Sequence, residues 1–240
     1  AIKGTRIVAE AAIKHKVKRL VATGSCIAIT SNRPSGSYTD DDVTDVNITS
    51  HYAKSKLLAE KALWELHKAQ TGDHKTEIVV AMPSLLFGPT VIDNKGDLSF
   101  SEIVMATFLD GTYAGIPEPD IEHRTVDVRD AALGHVRALF AEGVDGKRIA
   151  LTNEVVSVSQ IFSLIKAHFP QVKFNENKAT AEELNESKYL QLYTRNMGKK
   201  YEIDNTRSKT LLKMEYIPFE RSLVEMTEQL LRNGAVKLKQ

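Results

Sequence analysis

Apolar residues recur along the chain with helical and strand periods in alternation. Ile7, Val8, Ala11 and Ala12 share one helical face, Lys14 to Lys18 give that helix a basic end, and Leu20-Val21-Ala22-Thr23 follows as a short buried strand stopping at Gly24. From Ile27 to Ser50 the residues are mostly polar, with Pro34, Gly36 and the run Asp40-Asp41-Asp42, which predicts a long surface loop carrying a solvated acidic cluster. Ser50 or Thr49 can cap the next helix, whose apolar positions Ala53, Leu57, Ala62, Leu63 and Leu66 keep helical spacing to about Lys68, with Gly72 beyond its end. Ile78 to Met82 reads as a buried strand closed by Pro83, and Gly88-Pro89 marks a turn after it.

Further on, the pattern predicts a helix from about Ser101 to Leu109 and an irregular stretch from Gly115 to Pro119. A short strand, Val126 to Val128, leads into a helix from Asp130 to Phe140. Lys147 to Leu151 is a third buried strand, Ser159 to His168 a helix ended by Pro170, and Phe219 to about Leu231 a final amphipathic helix. Helices alternating with buried strands, with no internal repeat, imply an α/β protein whose parallel sheet is wrapped by helices.

Composition narrows the function classes. Lysine and arginine number 32 against 31 acidic residues, for a net charge of +1, so no basic stripe is available for a phosphate backbone and nucleic acid is not an expected partner. The longest apolar stretch, Ile78 to Met82, is far shorter than the roughly 20 residues that cross a bilayer, so no membrane helix is expected. A single cysteine, Cys26, forms no internal disulfide or thiolate metal site and fits a reducing, cytoplasmic setting; it reads as a small buried hydrophobe rather than an oxidant sensor. The seven histidines show no ligand spacing, so no metal is expected. Asp127 and Asp130 read as helix-capping carboxylates, with Arg129 able to pair with one of them.

One pattern carries chemistry. In Tyr52-Ala53-Lys54-Ser55-Lys56 a tyrosine and a lysine stand four apart on one helical face. A phenol is a poor proton donor at neutral pH, but an ammonium beside it stabilises the phenolate left behind, which suits proton delivery to a carbonyl oxygen. The spacing alone is weak, since this composition yields about 0.6 such pairs by chance. Two strand ends strengthen it. Thr23-Gly24-Ser25 puts a hydroxyl after one buried strand, and Pro83-Ser84-Leu85 leaves another, both at the carboxyl edge where open α/β sheets bind ligands.

Taken together, Lys3-Gly4-Thr5, the Val17 to Ser25 stretch, the Tyr52 to Lys56 motif, Pro83 to Pro89, Val126 to Ala132 and Asp204 to Lys209 resemble the extended short-chain dehydrogenase/reductase family. Within it the chain is most similar to the branch of dihydroflavonol and cinnamoyl-CoA reductases. The resemblance implies a Rossmann-like doubly wound parallel sheet with a small mixed α/β substrate-binding lobe. It implies Ser25 holding the substrate carbonyl, Tyr52 as proton donor, and Lys56 assisting Tyr52 and binding the nicotinamide ribose. Thr23, Pro83, Ser84 and Leu85 would meet the cofactor, NADP(H) with NAD(H) as the alternative. The implied activity is reduction of a small-molecule aldehyde or ketone by a monomer or homodimer. A catalytically silent subunit of the same fold is the competing reading. A sugar-nucleotide epimerase is disfavoured, because Met82 and Leu85 stand where that group resembles Arg and Asn.

The resemblance divides the chain into a nucleotide-binding domain, 1–89 and 126–170, and a substrate lobe, 90–125 and 171–240. The latter's Phe100, Met105, Phe108, Tyr113, Tyr189 and Tyr193 would suit either an apolar carbonyl compound or a small core. The glycine loop that cradles a dinucleotide pyrophosphate does not occur, since no glycine lies between Gly4 and Gly24. Only about one βαβαβ half is legible, which leads to the expectation of a preceding segment of roughly 80 to 100 residues, the size of the other half.

Overall fold

The computed structural model describes residues 1–47, 50–91, 97–186, 194 and 196–238. They divide between two units: Ala1–Ser84, Asp130–Thr152 and Glu202–Glu215 form the first, and Leu85–Arg129, Asn153–Tyr201 and Tyr216–Gln240 the second. The parallel sheet and its helices make the first unit and fit the Rossmann-like class.

The chain begins in α1 (Ile2–Lys14), enters β1 (Arg19–Thr23), and passes a single turn, α2 (Ile27–Thr30), and a short strand, β2 (Gly36–Tyr38), before α3 (His51–Ala69) and β3 (Glu77–Pro83). Ser50 Oγ accepts from Ala53 N at 3.2 Å and caps α3; Thr49, the other candidate cap, lies outside the described residues. The helix buries Ala53, Leu57, Ala62 and Leu63, the apolar face expected from the sequence, each large side chain contributing about 1.5–3 kcal/mol. Strand β4 (Leu85–Phe87), helix α4 (Phe100–Leu109), and strands β5 (Ile116–Pro117) and β6 (Glu122–Asp127) belong to the second unit. Helix α5 (Val128–Phe140) follows and belongs to the first from Asp130 on, as does β7 (Arg148–Leu151).

The sheet order is β1-β3-β7, all parallel, with Thr23 opposite Ala81 and Pro83 opposite Leu151. Central β3 is buried from Ile78 to Pro83, which is why it reads as an unbroken apolar run. Gly24 follows β1 because nothing larger fits: a Cβ there would stand 2.7 Å from Val80 Cγ1 and 3.0 Å from Met82 Cγ.

The described part of residues 27–50 is not the plain surface loop predicted from polarity, and its acidic run is only partly solvated, with Asp41 exposed and Asp42 half-buried. Asp40 is buried, and its carboxylate accepts from Ala150 N. Arg148 donates to the carbonyls of Asp40 and Asp42 and pairs with buried Glu60, its Nε 2.7 Å from Glu60 Oε1. Arg207, in α8 (Thr206–Leu211), grips Asp41 with two nitrogens at 2.9 and 2.6 Å. Buried carboxylates need such partners, and these come from residues more than 80 positions away in sequence.

In the second unit β4 pairs parallel with β6, and β6 pairs antiparallel with β8 (Val155–Ser157). Ile116–Pro117, inside the stretch expected to be irregular, pairs with β9 (Lys178–Ala179). Helices α6 (Val158–His168) and α9 (Phe219–Arg232) cover the core, with α7 (Ala181–Asn185) beside β9 in the chain. The units depart from the sequence division at four places, residues 85–89 and 126–129 also falling in the second unit. Residues 153–170 join the second unit, because β8 pairs with β6; residues 202–215 join the first, held by Arg207.

Candidate active site

The carboxyl edge of the parallel sheet gathers several of the expected residues. Beyond β1 the ladder continues: Gly24 N donates to Ala81 O at 2.7 Å and Cys26 N to Pro83 O at 3.0 Å, so Ser25 is held at both flanks beside the end of β3. Ser25 Oγ accepts from Ile27 N at 3.4 Å, which leaves its hydrogen free to be given elsewhere. Cys26 is buried and its Sγ donates to Met82 O, the behaviour of a small core residue.

Tyr52 and Lys56 sit in the first turns of α3. The Lys56 ammonium lies 5.8 Å from the centroid of the Tyr52 ring and donates to Thr23 O at 3.3 Å, so the helix pair is tied to the end of β1, two residues before Ser25. Tyr52 is half exposed, and burial lowers the Lys56 pKa below the ordinary lysine value.

Pro83 and Ser84 continue from β3. Ser84 N donates to Leu151 O at 3.0 Å, while its buried Oγ has no hydrogen-bond partner among the described residues. A buried hydroxyl without a partner is costly in isolation and fits a polar ligand group, which is the test a nicotinamide carboxamide would meet here. Leu85, by contrast, opens β4 in the second unit and packs against that unit's core.

One residue of this edge went unnoticed in the sequence: His135 on α5, whose Nε2 lies 3.0 Å from Thr23 Oγ1. A lone histidine on a helix carries no local signal for a contact spanning 112 positions.

The second unit contains the aromatic residues considered for substrate binding. Met105, Phe108 and Tyr113 are buried in its core, with Phe108 stacked on Tyr113 at 4.1 Å and edge-on to Phe162 at 5.1 Å; burial raises the Tyr113 pKa above the ordinary phenol value. Phe100 is partly exposed, and Tyr189 and Tyr193 lie outside the described residues. An open cavity of about 670 Å³ is lined by Thr112, Tyr113, Lys173, Phe174 and Asn175, all from segments expected to meet substrate. Asp127, a predicted cap, accepts from Arg129 N at 2.8 Å and also pairs with the Arg129 guanidinium. Among the described residues no group of three or more His, Cys, Asp or Glu could hold a metal ion, and no helix is long and apolar enough to cross a membrane.

Comparison with known proteins places this geometry in context. The model of the NAD dependent epimerase/dehydratase family matches residues 1–151. An oxidoreductase of uncharacterized function from Saccharomyces cerevisiae is 32% identical over 189 residues, covering 72% of this chain and 55% of that protein. Cinnamoyl-CoA reductase 2 of Arabidopsis thaliana is 29% identical across the whole of this chain and 68% of its own length. Among solved structures, Gre2 of Candida albicans in complex with NADPH superposes with a TM-score of 0.76 at 24% identity, covering 97% of this chain and 70% of that one. The chain thus spans a little over half the length of the yeast relative and about two thirds of the others.

Proposed function

The chain belongs to the NAD dependent epimerase/dehydratase family, the extended short-chain dehydrogenases/reductases, and from that premise we propose that it serves in NADPH-dependent reduction of an aldehyde or ketone, with Tyr52 delivering the proton. The observation that carries the reading is the Lys56 ammonium. It is held on the Thr23 carbonyl at the sheet's carboxyl edge, 5.8 Å from the centroid of the Tyr52 ring and two residues before Ser25.

A reduced nicotinamide bound at this edge supplies the hydride for the carbonyl carbon. Pro83 and Ser84 would line its ring, with the unpartnered Ser84 Oγ available to its carboxamide, and Lys56 would meet its ribose. The chain's own residues handle the oxygen and the proton. Ser25 donates its hydroxyl hydrogen to the substrate oxygen and orients it. Tyr52 gives its phenolic proton to that oxygen as negative charge develops there, completing the alcohol. The nearby ammonium stabilises the phenolate that remains. Burial lowers the Lys56 pKa below that of a solvated lysine.

The choice of NADPH is supported by the Candida structure, whose bound cofactor it is, and the choice of a carbonyl substrate by the Arabidopsis reductase. The test is oxidation of NADPH by the protein expressed from its complete gene, against a panel of aldehydes and ketones. Tyr52→Phe is expected to lower kcat at least about a hundredfold, the usual scale of a positioned general acid. Equal turnover by wild type and variant removes Tyr52 from the mechanism.

A further inference from the structure

Thr23 ends β1 with its two polar groups facing different partners. Its carbonyl oxygen accepts from Lys56 Nζ at 3.3 Å, and its hydroxyl lies 3.0 Å from His135 Nε2. The other ring nitrogen settles who donates. His135 Nδ1 is 2.7 Å from the Ala131 carbonyl oxygen, which can only accept, so Nδ1 carries the hydrogen. In the neutral ring Nε2 then offers a lone pair, and the Thr23 hydroxyl donates to it.

The histidine is itself firmly placed. Gly134, its neighbour, lets α5 approach β7 closely: a Cβ there would meet the Leu151 methyl carbons at 2.7 Å. Arg19, at the opposite end of β1, donates to Ala138 O at 2.8 Å and fixes the same helix one turn further on. Thr23 itself is an exposed strand-end residue: the ladder bond from Gly24 N to Ala81 O at 2.7 Å holds the peptide that follows it, and His135 holds its side chain.

We propose that His135 is a positioning residue for Lys56: by holding the Thr23 hydroxyl it fixes the strand-end residue whose carbonyl oxygen anchors the ammonium. The path is histidine to hydroxyl, through one residue's backbone, to carbonyl and ammonium, and no atom of His135 touches the reacting groups. The inference rests on the reductase reading of Lys56. Its alternative is a helix-to-strand staple that adds stability and nothing else.

The two are separated by comparing wild type with His135→Leu, His135→Gln, Thr23→Val and the His135→Leu/Thr23→Val double variant, all expressed from the complete gene. Three quantities are read: the unfolding temperature, kcat and KM for NADPH, and the NMR titration of the Lys56 amine in the cofactor-free protein. His135→Leu is expected to lower kcat about tenfold, raise KM, and move the Lys56 midpoint away from its wild-type value. His135→Gln, whose amide oxygen can accept the Thr23 hydrogen, recovers most of the loss. The double variant is no worse than either single one, since both remove the same contact. Additive losses overturn the proposal, as does a His135→Leu protein that unfolds earlier while kcat, KM and the Lys56 midpoint stay unchanged. A wild type that turns over no carbonyl compound removes the reductase reading instead, and the Lys56 midpoint in His135→Leu, shifted or not, then decides the positioning role by itself.

Discussion

Gly24 shows how one residue of the site answers to its neighbours. Here Val80 and Met82 occupy the space a side chain would need, with contacts of 2.7 and 3.0 Å to an added Cβ. Gly24→Ser should therefore cost about 1–3 kcal/mol in urea unfolding, with Gly24→Ser/Val80→Ala recovering part of it, as expected for overpacking that a smaller neighbour relieves. An unchanged midpoint in the single variant would mean that the β1 end simply shifts. Ser25, Tyr52 and Lys56 were legible as candidates because their signals are local: a hydroxyl after an apolar run, and two side chains one helical turn apart. The roles of His135 and Asp40 were not, because each is defined by a partner more than 100 positions away. Charge density made Asp40 look solvated, whereas the Ala150 amide and the guanidiniums of Arg148 and Arg207 draw the acidic run onto the sheet.

At the scale of elements, the long helices and buried parallel strands follow from their periodicity and caps, and the structure has them within a few residues of expectation. The three-residue strands Leu85–Phe87 and Val155–Ser157 were missed, since three positions cannot display an alternation that distinguishes strand from loop. The junction of β6 and α5 carries a measurable consequence. Burial pushes the Asp127 carboxyl up, but hydrogen bonds from Arg129 and from Ser222 on α9 outweigh it and hold its pKa below the ordinary carboxylate value. An acid whose folded pKa is depressed contributes stability that is present above its unfolded pKa, near 4, and is lost as pH falls through the lower folded value. Urea stability should thus decline as pH drops below about 4, and Asp127→Asn, already neutral, should decline less steeply there. Parallel declines in the two proteins would show that Asp127 contributes nothing to acid sensitivity.

At the scale of the whole molecule, the sequence pointed to the α/β class and family, and the parallel sheet and the family match agree with both. The division into units was only partly legible. Residues 153–170 look like one more helix-and-loop step of the sheet domain until β8 turns back antiparallel on β6, and residues 202–215 look like lobe until Arg207 binds Asp41. Both assignments depend on long-range pairing that no window of the sequence contains. The central claim, proton delivery by Tyr52 in nicotinamide-dependent carbonyl reduction, has a direct test in isotope transfer. The protein expressed from its complete gene is mixed with an aldehyde and NADPH deuterated at the transferable position, and the product is weighed by mass spectrometry in wild type and Tyr52→Phe. The account predicts an alcohol carrying one deuterium on the former carbonyl carbon, formed at least about a hundredfold more slowly by the variant. Deuterium retained in the cofactor, or labelled alcohol formed equally fast by both proteins, would contradict it.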